Sequence, residues 1–198
     1  MNWRDVPIPK RMRALAKDRR GYPIPFNVLR DNDGRPHFTV NDSNRQRRSL
    51  LERRCAICGN RLANPMWFVG GPLSAFHEEG AYMDTALHHD CMTYALQVCP
   101  YLAAPAYLGR IDDATVDYSK LPGHVILEDY TQIPDRPALF VAVASHSCAV
   151  IEREQIVAVV KPHRPYVAIE YWQRGARLPD ERGQMLSAVA LSEAQCHA

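Results

Sequence analysis

The chain has 198 residues, 46% of them hydrophobic, and carries 24 Lys plus Arg against 22 Asp plus Glu. That is enough apolar chain to bury a core, which excludes bulk disorder, and no run nears the roughly 20 apolar residues of a membrane-spanning helix. Residues 1–20 are polar and basic where a secretory signal needs an apolar stretch, so a cytoplasmic protein with no membrane partner is expected.

The formal charge of +2 hides an asymmetry. Residues 1–54 hold 14 Lys plus Arg against 6 Asp plus Glu, a net of +8, while residues 55–198 hold 10 against 16, a net of −6. The six cysteines would suggest disulfides in a short secreted protein. Without an export signal, metal binding is the better first reading of them.

In chain order, Pro7 and Pro9 precede KRMRALAKDRR, which predicts an extended lead and at most a short basic helix. The runs PFNVL and PHFTV flank Asp31-Asn32-Asp33-Gly34, a turn cluster between β-rich segments, and predict a hairpin. Asn41, Asp42 and Ser43 can cap a helix over SNRQRRSLLERR, residues 43–54, which meets no breaker before Cys55. Residues 66–69 read as a short strand ended by Gly70-Gly71-Pro72, and residues 73–84 as irregular. The apolar spacing of TALHHDCMTYALQVC predicts an amphipathic helix over residues 85–99, capped by Asp84 or Thr85 and stopped by Pro100. Thereafter HVILE, ALFVAVAS, QIVAVV and YVAIEYW, separated by Pro and Gly clusters, predict an antiparallel meander of three or four strands within residues 121–173. Residues 182–198 form a terminal helix or a frayed tail.

Four residues combine into a metal-site pattern. Cys55-Ala56-Ile57-Cys58-Gly59 is a CxxC followed by glycine, which lets two thiolates converge from a tight knuckle whose next residue adopts a left-handed conformation. His88 and Cys91, three apart at the start of the expected helix, leave the same face and complete a tetrahedral set for structural Zn2+. His89 points to a different side. Cys99 lies roughly 12 Å further along a helix rising about 1.5 Å per residue, too far to share the ion. His77, on the irregular stretch, competes with His88 for the third position. A thioredoxin-like redox pair fits poorly, because a basic helix and no strand precedes the CxxC.

The knuckle, short strand and ligand-bearing helix resemble a treble-clef zinc module. More narrowly, residues 55–102 are similar to a family of uncharacterised bacterial and phage proteins with a CxxCG knuckle, an F-V-x-G-P segment, an HxxC followed by a Y-A pair, and a C-P-[FY]-L ending. Those places are held here by Cys55, Cys58, Gly59, Phe68, Val69, Gly71, Pro72, His88, Cys91, Tyr94, Ala95, Cys99, Pro100, Tyr101 and Leu102. The resemblance implies the zinc ligands and no activity. HNH nucleases also use a treble clef, but their base histidine, helix partner and open coordination position have no match here.

The arginines Arg11, Arg13, Arg19, Arg20, Arg47, Arg48, Arg53 and Arg54 suit bidentate phosphate contacts. They point to DNA or RNA, or else to a protein partner docked on a basic face. Cys148 beside His146, or Cys99 with a histidine, could serve an enzyme, against the plainer reading of small buried thiols. Trp67 and Phe68 are expected to pack under the helix of residues 85–99, with base stacking as the weaker alternative. His124 and His163 read as structural.

The expected architecture is α+β: a basic N-terminal region with hairpin and helix (1–54), a treble-clef zinc module (55–103), and an antiparallel sheet region with a C-terminal tail (104–198), forming one compact unit. The expected function is a zinc-stabilised module binding nucleic acid, or a nucleic-acid-handling protein, through its basic face. The alternatives are a Cys/His enzyme and a phage or mobile-element inhibitor of a host protein.

Overall fold

The computed structural model describes residues 3–103, 137–153 and 156–196. The expected strand HVILE, and His124 with it, lies outside the described residues.

Two 3-10 turns, Trp3–Asp5 and Lys10–Met12, replace the expected basic helix. The hairpin forms as expected from β1 (Val28–Arg30) and β2 (Pro36–Asn41). Its turn is held by Asp31, whose carboxylate accepts from the backbone N–H of Asp33 and Arg35 at 3.0 and 2.8 Å. Helix α1 (Ser43–Leu51) is capped by Asp42, whose side chain accepts from Arg45 N–H. It ends before residue 54 because Arg53 adopts φ +52 and turns the chain into the next loop.

Strand β3 (Met66–Gly70) matches its expectation. The stretch taken as irregular begins with a short helix, α2 (Pro72–Phe76), started by a proline whose missing N–H costs nothing there. Helix α3 runs His89–Val98 and is followed by the single turn α4 (Pro100–Ala103). The expected start at residue 85 is wrong by four residues. Leu87 exchanges two backbone hydrogen bonds with Trp67, at 3.0 and 2.8 Å, so residues 85–88 run extended beside β3 before the helix begins.

The remaining strands are β4 (Phe140–Ser145), β5 (Cys148–Arg153), β6 (Ile156–Pro162), β7 (Ala168–Gln173) and β8 (Ala176–Leu178), and the chain closes with helix α5 (Asp180–Cys196). They do not form one meander. One antiparallel sheet has the order β3-β4-β7-β8, and β5-β6 is a separate hairpin inserted between neighbours β4 and β7. Ser145 fixes the point of departure: its hydroxyl, 2.8 Å from the carbonyls of both Ser147 and His163, shares its one hydrogen between them and clamps the base of the hairpin.

Apolar side chains cover both faces of the sheet. Phe140, Ala142 and Ala144 of β4, with Trp67 and Trp172, face Met92, Leu96 and the cysteines. Val141 and Val143 alternate to the other face, with Phe68, Tyr82 and Tyr171. Trp67 therefore packs with α3 as expected, while Phe68 points the opposite way. The whole of β4 is buried, which accounts for a continuous apolar run where a half-exposed strand would alternate.

Candidate metal centre

The knuckle is built by backbone hydrogen bonds. Cys55 N–H donates to Asn60 O at 2.9 Å, and Gly59 N–H returns to Cys55 O at 2.8 Å, with Gly59 at φ +72. A Cβ at Gly59 would also lie 2.8 Å from the Phe26 ring, so both backbone and space require glycine. The loop is pinned on two sides, since Phe26 and Asn27 N–H donate to Ile57 and Ala56, and Ala56 N–H donates to Ala86.

The extended segment beside β3 delivers His88 as the N-cap of α3, and Cys91 follows on the first turn. The donor atoms of Cys55, Cys58, His88 and Cys91 all lie within 4.8 Å of one another, and the four residues are 0, 8, 7 and 0% exposed. Ligands tetrahedral about a metal at about 2.3 Å stand roughly 3.8 Å apart, so the cluster fits such an ion with small adjustment. These residues are positioned to hold a metal ion. His88 Nε2 donates to Arg61 O at 3.0 Å, which leaves Nδ1, 3.3 Å from Cys58 Sγ, turned toward the sulfurs.

The four groups share protons strongly. Burial disfavours the Cys55 thiolate, but hydrogen bonds from Cys58, Cys91 and His88 outweigh it and hold Cys55 below the ordinary thiol range. Hydrogen bonding to Cys55 pushes the Cys58 thiol up to about 11 and drives Cys91 up as well. Three thiolates cannot coexist there without a positive ion to share. The Cys55 hydrogen bond also raises His88, against the opposing effect of burial.

Two contacts around the cluster had no signal in the sequence. Arg11 Nε donates to Asp90 Oδ2 at 2.9 Å, and Asp90 Oδ1 accepts from Cys91 N–H, so the basic N-terminal segment is fastened to the ligand helix from 79 residues away. His89, as expected, points away from the cluster. Its Nε2 donates to Glu170 Oε1 at 2.9 Å and its ring meets Trp67 at 4.6 Å, while the buried Glu170 also accepts from Trp172 and pairs with Arg177.

The rival positions are placed elsewhere. His77 is exposed after α2, where its Nδ1 accepts from Glu79 N–H. Cys99 is the half-buried C-cap of α3. Cys148 begins β5, half-buried, its thiol pushed up by burial, and no hydrogen bond joins it to a histidine among the described residues. The nearby His163 pairs with the Ser147 hydroxyl at 2.8 Å, and His146 is exposed.

The arginines divide into two groups. Arg11 pairs with Asp90, Arg20 with Asp18, and both Arg48 and Arg54 with Glu52, while Arg53 donates to Asn64. Arg13, Arg19 and Arg47 are exposed and make no ion pair with a described residue. No helix among the described residues is long and apolar enough to cross a membrane. No protein-family model, no characterised protein and no solved structure matches this chain.

Proposed function

We propose that the chain is a treble-clef zinc module that binds nucleic acid through its basic N-terminal segment. Three cysteines and one histidine match the preference of zinc for sulfur and nitrogen, and four protein ligands leave no position open for hydrolytic chemistry. The ion then acts as a staple between residues 55–58 and 88–91. The observation that carries the binding reading is that Val6 and Met12, with Ile8, Leu15 and Tyr22, pack into the same core as Cys55 and Cys91. The basic segment is thus held as a surface, with Arg13, Lys17 and Arg19 exposed on it.

Zinc uptake is expected to displace protons. In the ion-free cluster Cys58, at about 11, and Cys91, also raised, are protonated near neutral pH. Both must deprotonate to bind, so the affinity rises with pH below those values. Two displaced protons correspond to roughly 100-fold weaker zinc binding per pH unit of acidification. Calorimetric titration with zinc in buffers of differing ionisation enthalpy counts them, and a count of zero would sink this picture.

The binding reading predicts a steep salt dependence. If Arg13, Arg19 and Arg47 each meet a phosphate, affinity for an oligonucleotide falls on the order of 20- to 40-fold between about 50 and 200 mM salt. Fluorescence anisotropy measures this, and absence of any DNA or RNA binding at low salt overturns the reading. Replacing the three by Glu should remove most of the binding while leaving the metal content unchanged.

A further inference from the structure

We propose that Trp3, Tyr22 and Phe38, with Arg4 and Arg20, form a stacking platform for single-stranded nucleic acid, an inference that rests on the nucleic-acid reading above. The three rings come together from separate parts of the N-terminal region. Trp3 and Tyr22 have centroids 4.9 Å apart, and Tyr22 and Phe38 6.0 Å apart. The Arg20 guanidinium lies over both Tyr22 and Phe38, at 5.7 and 5.6 Å, and Arg4 lies over Trp3 at 4.9 Å. The result is a cluster of three rings tilted by 55° between Trp3 and Tyr22 and 85° between Tyr22 and Phe38, with Arg4 against the first and Arg20 shared by the other two.

Packing explains only part of this arrangement. Trp3 and Tyr22 lean on the core that holds the metal cluster, and the Tyr22 hydroxyl donates to Val98 O at the end of α3. Phe38 is 38% exposed in the middle of a strand and meets Tyr22 edge-on. A large ring left at the surface beside anchored aromatics and guanidinium groups is what base stacking uses, because every base presents a π face and a neighbouring phosphate. Duplex DNA keeps its bases stacked on one another, so the platform favours single strands.

The charges around the rings favour an anionic ligand. Of the acids around the rings, Asp5, next to Arg4, is exposed, while Asp18 has a side chain only 8% exposed that accepts from Tyr22 N–H, Arg20 N–H and Arg20 Nε. Asp31, 7% exposed, is likewise turned inward and accepts from Asp33 and Arg35 N–H, with His37 at 3.4 Å. Arg4, Lys17, Arg19 and Arg20 are exposed against the exposed Asp5, so the outward-facing charge is positive on balance.

The test is the binding of Phe38→Ala and Phe38→Trp, in the full zinc-loaded chain, to oligothymidine, oligouridine and a duplex of equal length. Phe38→Ala is expected to weaken single-strand binding at least about fivefold, the low end for one stacked base. The salt slope should not change, since no charge is lost, duplex binding should stay as in the wild type, and Phe38→Trp should restore the single-strand affinity. Oligothymidine and oligouridine distinguish DNA from RNA as the preferred strand. Equal loss on single strand and duplex, or no loss on either, would overturn the stacking platform while leaving the basic-face reading standing. No binding of the wild type to any oligonucleotide would overturn both. Unchanged zinc content and thermal melting in Phe38→Ala separate a lost contact from a damaged fold.

Discussion

Cys91→Ser is expected to leave the protein without bound zinc and unfolded at room temperature. Cys91 is fully buried and is one of four residues positioned to hold a metal ion between residues 55–58 and 88–91, whose surroundings are otherwise linked by single hydrogen bonds such as Ala56 N–H to Ala86 O. A structural zinc contributes about 10–16 kcal/mol at neutral pH in zinc-finger peptides, whereas a whole domain is stable by only about 5–15 kcal/mol. Losing one of four ligands therefore threatens the entire net stability. It also leaves Cys55, Cys58 and His88 as buried polar groups that compete for protons. Cys99→Ser and Cys148→Ser serve as controls, because both thiols are half-buried and outside the cluster; they should keep one zinc per chain. Elemental analysis with circular-dichroism melts, with and without a chelator, reads the difference. A Cys91→Ser protein that retains one zinc and melts like the wild type would remove the staple from the account of this fold.

The cluster was legible in the sequence because its geometry is local in two halves. A CxxCG is a complete knuckle within five residues, and HxxC at a helix start puts two donors on one side, so only the meeting of the halves needed the structure. Helix α1 was legible for the same reason, with Asp42 and Arg45 three residues apart. What escaped was set by contacts distant in the chain. The start of α3 was misplaced because residues 85–88 pair with Trp67, and helical periodicity carries no record of that pairing. Of the strands in residues 138–172, β4, β6 and β7 were found and β5 was not, and the β5-β6 hairpin leaves the sheet at the Ser145 clamp, which joins residues 18 apart. The arginines looked like one patch, yet Arg11 is committed to Asp90, which no pattern within residues 1–54 could indicate. The aromatic cluster is the same kind of omission: Trp3, Tyr22 and Phe38 share no local motif.

The seat of α5 leads to the second large expected effect. Gly183 lies against Tyr171 so closely that a Cβ there would fall 2.0 Å from the ring's Cγ and 2.4 Å from its Cβ. These atoms begin the side chain of a residue only 3% exposed on β7, so they cannot swing aside as a flexible end could. Alanine in place of glycine favours a helix interior by about 1 kcal/mol, whereas overpacking a buried contact costs about 1–3 kcal/mol and occasionally more. With a methyl group well inside contact distance the second effect wins, and Gly183→Ala is expected to destabilise the protein by about 2 kcal/mol net. The helix must then lift from the sheet, carrying with it the buried Ser187, whose hydroxyl donates to Gly183 O at 2.8 Å within the helix. Denaturant unfolding measures the loss, with the exposed Met185→Ala as a control expected to shift stability by less than about 0.5 kcal/mol. The cause is tested by repeating Gly183→Ala in a Tyr171→Gly background, where the obstructing ring and its Cβ are both gone. The penalty should shrink or reverse sign there, because the two residues touch and their effects cannot add. An undiminished penalty in that background would mean that α5 is held by something other than its fit against Tyr171.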